Sequence, residues 1–289
     1  MTAVEAYVAP TSLEQALDCL SSSDEVTILA GGTDLMPQCQ TGRVSLRRTL
    51  MNIRRIDELK GITLQGDTLR VGALVTITEL MRSDLARRHL PVLVEACDHF
   101  ASDQIRNVAT VGGNISNASP AGDTLVPLLA LDAEVELASG GGGAVTRRRV
   151  PIAEYFAAPG RTRRAANELL VSVRIAVPPA GHHARFFKFG TRPALDISAI
   201  SIAIAGVRAD GALTGVRVAF GAVAPTPIRA VNTEQALEGA RLDESTIARA
   251  AALARDEVAP IDDLRASAWY RRELIHNMTQ RMLEDAAQT

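Results

Sequence analysis

The sequence predicts an α+β fold of two domains, on three observations. The break Pro178-Pro179-Ala180-Gly181 can continue neither helix nor strand. Ahead of it, short apolar strands and amphipathic helices are punctuated by two Gly-Gly pairs. Behind it, strand patterns come first and helices last, the order of an α+β domain. Boundaries drawn on this break are 1–178 and 182–287.

The elements follow in order. Thr11-Ser12-Leu13-Glu14 is a capping-box pattern opening an amphipathic helix, and Val26 to Ala30 is a short apolar strand running into Gly31-Gly32. Thr49 to Ile53 reads as a strand, and Ile62 to Ala73 as a hairpin turning at Gln65-Gly66-Asp67. Thr76-x-x-Glu79 starts another helix, and Pro91 opens one with Leu93, Val94, Ala96, Cys97 and Phe100 at its apolar positions. A glycine-rich loop over 110–122 precedes a helix from Thr124 to Leu131, a strand from Ala133 to Leu137, a turn at Gly140 to Gly143, and an alternating strand from Glu168 to Val177. Beyond the break, Ala184 to Lys188, Ile197 to Arg208 and Leu213 to Ala222 are strands, the last two joined at Asp210-Gly211. Helices over 242–257 and 265–285 complete the chain.

Composition narrows the function. The 289 residues carry 31 basic and 33 acidic side chains, a formal charge of −2, so there is no positive footprint for nucleic acid. No stretch reaches the roughly 18 uncharged apolar residues of a membrane span, and the first residues lack a basic-then-apolar leader, so the expected location is cytoplasmic. Cys19, Cys39 and Cys97 are too scattered for a disulfide framework or a metal or iron-sulfur site. The adjacent pair His182-His183, placed on a loop, is not expected to hold a metal. HExxH, GxSxG and Cys-His spacings are absent, and no side chain is assigned as catalytic.

Two segments point to a dinucleotide. Ile28-Leu29-Ala30-Gly31-Gly32-Thr33-Asp34-Leu35 places two glycines between a strand and a helical turn, where backbone N–H groups can approach an anion and Thr33 adds a hydroxyl. The pattern is neither GxGxxG nor GxxxxGK[ST], which removes the main support for nicotinamide-Rossmann and P-loop readings. Ala109-Thr110-Val111-Gly112-Gly113-Asn114-Ile115 supplies a second glycine pair with further donors. Asp123 suits a ribose hydroxyl, or equally the N-cap of the helix that follows. Lys188, one of two lysines in an arginine-rich chain, stands among Phe186, Phe187 and Phe189. There it is either a functional cation or a solvated edge-strand residue. Arg192 and Asp196 are spaced to pair with each other. The runs Arg147 to Arg149 and Arg161 to Arg164 are either solvated or a docking surface for an acidic partner.

AGGTDL at 30–35, TVGGNISNASPAGD at 110–123, ELLVSVRI at 168–175 and FFKFGTRPALDIS at 186–198 together resemble the FAD-binding medium subunit of molybdenum hydroxylases. That family includes the flavin subunits of xanthine dehydrogenase and aerobic carbon monoxide dehydrogenase, and the resemblance covers essentially the whole chain. It implies a two-lobed FAD-binding domain of the vanillyl-alcohol-oxidase (PCMH) type, followed by a flavoprotein C-terminal domain with an antiparallel sheet and helices. FAD pyrophosphate would lie against both glycine loops, Ile28 to Leu35 and Thr110 to Asn114, with Asp123 on the adenosine side. Phe100, Leu170 and Lys188 would fall near the flavin and Asp196 near its ring. The resemblance further implies 2Fe-2S clusters and a molybdopterin cofactor on partner subunits, and NAD or another acceptor for the electrons. GTRPALDIS leans towards the xanthine dehydrogenase branch. Rival readings are a carbon monoxide dehydrogenase-like subunit, a self-contained flavin oxidase, and a non-catalytic nucleotide-binding protein that would purify without colour.

Overall fold

A computed structural model describes residues 4–192, 195–209 and 211–288. The first lobe is a three-stranded parallel sheet in the order Ala6–Val8, Thr49–Asn52, Val26–Leu29. Val26–Leu29 is an edge strand, so its backbone and the turn after it are open to a neighbour. Helix Leu13–Ser22 covers the sheet, burying Leu13, Ala16, Leu17 and Leu20. Its cap sits one residue beyond the predicted box: Ser12 accepts the Gln15 amide at 3.3 Å, and the Gln15 side chain accepts the Thr11 amide at 2.9 Å.

The second lobe is a five-stranded antiparallel sheet in the order Ile62–Gln65, Thr68–Gly72, Glu168–Ala176, Glu134–Gly141, Ala144–Pro151. Its first hairpin turns at Gly66 with φ +60°. Helix Ile77–Arg82 opens with the predicted box, Thr76 and Glu79 each bonding the other's backbone. Helix Pro91–Asp98 buries Val92, Leu93, Ala96 and Cys97, and burial pushes the Cys97 thiol far above its ordinary range. The arginines at 147–149 lie on an edge strand that sequence patterning missed, because no apolar alternation marks Ala144–Pro151.

The third unit is an antiparallel sheet, His182–Phe189, Ile200–Ala209, Ala212–Gly221, Ile228–Arg229. Helices Val231–Leu237, Glu244–Asp256 and Ala268–Gln288 follow it. His182 and His183 lie on its first strand, not on a loop. Asp210 of the expected turn lies outside the described residues, as do Pro193 and Ala194 of GTRPALDIS. One face of the sheet packs Ile200, Ile202, Val218 and Phe220 into a core with the last helices. The other buries Phe186, Ala203, Ala205 and Ala219 in the same core as the second lobe's helices. The first lobe has its own core, which Leu169 and Val171 join from the five-stranded sheet.

Candidate functional site

A cleft of about 800 Å³ runs between the lobes and ends against the loop that follows strand His182–Phe189. Its walls bring together Ile28, Ala30, Gly31, Gly32, Thr33, Asp34 and Leu35 with Thr110, Gly112, Gly113, Asn114, Phe100, Leu170, Asp123 and Asp196. These segments are far apart in the chain.

The turn at 31–35 is a cradle of open donors. Among the described residues no acceptor takes the amides of Gly31, Gly32, Thr33, Asp34 or Leu35. Gly32 has φ +73°, which a side chain tolerates poorly, and a Cβ on Gly31 would stand 2.2 Å from the Val108 carbonyl oxygen. The backbone therefore has to be bare here for the strand-to-helix turn to pack against Val108 and Ala109. Leu29 does not line the cleft. Its side chain lies 3.0 Å from where a Gly32 Cβ would be.

The second glycine segment departs from expectation. It is not a loop but helix Val111–Asn117, capped by Thr110, whose hydroxyl accepts the Gly113 amide at 3.0 Å. The amides of Val111, Gly112 and Asn114 are held by Val75, Ala73 and Thr110 carbonyls. None of the four amides from Val111 to Asn114 is left for a phosphate. What Gly112 provides is close approach: its Cβ would stand 2.7 Å from that of Ala73. Side chains remain as donors, the Thr110 hydroxyl and the Asn114 amide nitrogen, while Asn114 Oδ1 accepts the Thr124 hydroxyl at 2.6 Å. Val111 is buried core and does not line the cleft.

Lys188 also lies behind the wall. Its Nζ donates to Asp123 Oδ2 at 2.9 Å and to the His99 carbonyl at 3.1 Å, and the two side chains are 7% and 11% exposed. The solvated edge-strand alternative gives way to a buried pair, on the edge strand but out of solvent. Asp123, which Ser198 also bonds at 3.1 Å, is not the N-cap of helix Leu125–Ala130, where Thr124 stands. Burial raises the Asp123 carboxyl above its ordinary value, against the pull of Lys188 and the hydrogen bonds from Lys188 and Ser198. With Lys188 bonded to Asp123, the two do not serve separate ends of an extended dinucleotide.

Asp196 is occupied by its own loop. Its carboxylate accepts the amides of Thr191, Arg192 and Ile197, the last at 2.9 Å, and these bonds outweigh desolvation to lower its pKa. Arg192 reaches the Leu195 carbonyl, so the expected Arg192-Asp196 side-chain pair does not form. The loop carries Leu195 and Ile197, about half exposed, to the mouth of the cleft. Sequence reasoning also missed Gln38, Arg47, Ser116, Asn117, Thr162 and Arg164 in the walls. Ser116 and Asn117 fall inside the 110–123 segment and Thr162 and Arg164 inside the 161–164 run, while Gln38 and Arg47 sit in no motif; all meet only through the packing of the lobes. No group of three His, Cys, Asp or Glu side chains able to hold a metal occurs among the described residues, and no helix there is long and apolar enough to cross a membrane.

A long cleft, an anion cradle at a strand-to-helix turn and a covering third unit define a two-lobed dinucleotide-binding protein. Residues 2–178 match the FAD binding domain in molybdopterin dehydrogenase, and residues 185–286 match the CO dehydrogenase flavoprotein C-terminal domain. The chain belongs to the FAD-binding subunits of the molybdenum hydroxylase family. It is 36% identical over 282 residues to the xanthine dehydrogenase FAD-binding subunit of Escherichia coli O157:H7, covering 97% of this chain and 95% of that one. It is 31% identical over 281 residues to the carbon monoxide dehydrogenase medium chain of Afipia carboxidovorans, covering 97% and 96%. Its fold superimposes on reconstituted CO dehydrogenase from Oligotropha carboxidovorans with a TM-score of 0.92 at 30% identity, covering 100% of this chain and 99% of that one. The expected α+β fold with a PCMH-type FAD domain and a flavoprotein C-terminal domain is the one present.

Proposed function

We propose that this chain carries FAD in a xanthine dehydrogenase-like complex, taking electrons from an iron-sulfur subunit and passing them to NAD or another acceptor. A separate molybdenum-cofactor subunit oxidises the organic substrate. The observation that carries the reading is the row of open amides from Gly31 to Leu35 in a cleft long enough for a dinucleotide, in a chain 36% identical to a xanthine dehydrogenase FAD-binding subunit. The carbon monoxide dehydrogenase-like reading is favoured by the structural superposition.

Each segment has a task in this reading. The Gly31-to-Leu35 amides bind the pyrophosphate, with Thr110 and Asn114 adding side-chain donors from the opposite wall. Phe100 and Leu170 supply apolar surface for the ring. The loop stapled by Asp196 sets Leu195 and Ile197 at the mouth, where they limit water access and leave one edge open to a partner. FAD, when bound, exchanges one or two electrons and so links a one-electron centre to a two-electron acceptor.

Expressed alone, the chain is expected to bind one FAD and to oxidise no purine or aldehyde. With NAD as the physiological acceptor it retains NADH-dependent dye reduction through the flavin. Hydroxylase activity returns when the iron-sulfur and molybdenum subunits are added. Purine turnover by the metal-free chain alone would overturn the subunit reading in favour of a self-contained oxidase, and a colourless protein that takes up no FAD would overturn both.

A further inference from the structure

We infer that Arg164 is a phosphate-binding residue of the cleft, its guanidinium facing the start of the Gly31-to-Leu35 cradle, an inference that rests on reading the cleft as the FAD site. The arginine run at 161–164 does not behave as one surface. Arg161 and Arg163 are exposed, whereas Arg164 is half-buried and turned into the cleft wall beside Gly160 and Thr162.

Its anchoring is one-sided. Nη1 donates to the carbonyls of Ala165, Ala166 and Glu168, at 2.9 and 3.2 Å for the first two. The nearby Glu168 carboxylate is held by Arg148 and by the Ala165 amide. Nε and Nη2 have no acceptor among the described residues. The carboxylates lining the cleft are engaged elsewhere: Asp34 with Gln38, Asp123 with Lys188 and Ser198, Asp196 with its own loop. Arg47, in the same wall, adds a second positive charge, held by the Asp24 carbonyl and 3.8 Å from Glu25. The Glu168 carboxylate is hydrogen-bonded to Arg148 and only attracts Arg164 at longer range, so a half-buried guanidinium braced on one nitrogen and beside another cation keeps two donor positions for a ligand oxyanion.

Position selects which oxyanion. Glu168, whose carbonyl anchors Nη1, precedes Leu169, and Leu169 packs in the same apolar cluster as Ile28 and Ala30. Arg47, close enough to repel Arg164, is tied through its amide to the Thr27 hydroxyl at 2.8 Å, on the strand that runs into Gly31, and all three line the same cleft. Phe100, Leu195 and Ile197 supply apolar wall suited to a ring. A diphosphate between the amide cradle and Arg164 is held from both sides.

The test uses the full-length flavoprotein stripped of FAD and titrated with FAD and with ADP. Arg164→Leu should weaken both by the same factor, about 10- to 100-fold as for a lost charge-assisted hydrogen bond, with Arg164→Lys recovering part of the loss. The midpoint potential of flavin still bound should match wild type, and Arg164→Lys, which keeps a cation and a donor for the loop carbonyls, should keep the melting temperature of the stripped protein. Unchanged FAD affinity in Arg164→Leu overturns the inference. So does a shifted potential at unchanged affinity, which would place the residue beside the ring. So does a melting temperature of Arg164→Lys that falls together with its FAD affinity, which would make the residue a loop brace only. Wild-type protein that binds no FAD would instead remove the reading beneath it.

Discussion

Gly31→Val should yield a folded protein without flavin. The new Cβ would lie 2.2 Å from the Val108 carbonyl oxygen and 3.0 Å from its carbon, backbone that cannot swing away as a side chain would. The turn has to move, and the amides that converge in the cleft move with it. Gly32→Val reaches the same end by strain, since φ +73° costs a branched residue on the order of 1–2 kcal/mol before its contact with Leu29. A loss of at least about 100-fold in FAD affinity is expected for each, equivalent to two hydrogen bonds to a charged group. Gly142→Ala is the control: φ is +62° there too, but nothing lies within 4 Å and the residue is on a distant hairpin. It should lose a little stability and no flavin. Equal FAD content in Gly31→Val, Gly32→Val and Gly142→Ala by absorption would show that the cradle does not hold the cofactor.

Lys188→Met should destabilise the fold by about 3–5 kcal/mol, the usual consequence of leaving one member of a buried ion pair alone. The pair joins the second lobe, through Asp123, to the first strand of the C-terminal sheet, so the loss falls on the packing between them. The sign with pH follows from Asp123. Its folded pKa is already raised by burial, and removing Lys188 removes the main opposing influence. A raised carboxyl binds its proton more tightly folded than unfolded. Stability therefore falls as pH rises from the ordinary value of 3.8 through the raised one. The deficit of Lys188→Met relative to wild type should be largest at neutral pH and shrink on acidification. Asp123→Asn in the same chain should recover part of it at neutral pH. Urea denaturation at several pH values decides this: a deficit independent of pH would mean that Asp123 is not the unpaired charge.

What the sequence settled by itself is what local backbone chemistry settles. The two prolines at 178–179, the Gly66 hairpin, the Thr76-Glu79 box and the glycine turn at 31–32 each restrict φ and ψ within a few residues, and each is where the sequence puts it. The weak points were also local. Ala144–Pro151 forms an edge strand without apolar alternation, and Val111–Asn117 forms a helix through two glycines because Thr110 caps it and the Ala73 carbonyl holds the Gly112 amide. Tertiary structure alone decided the rest of the site. Lys188 meets Asp123 across 65 positions, and Arg164 turns inward while Arg161 and Arg163 stay in water. A charged side chain in an arginine run carries no local signal of direction. Which partner it finds depends on which carboxylates and carbonyls the packed lobes bring within hydrogen-bond reach, and that is fixed only when the sheets close around the cleft.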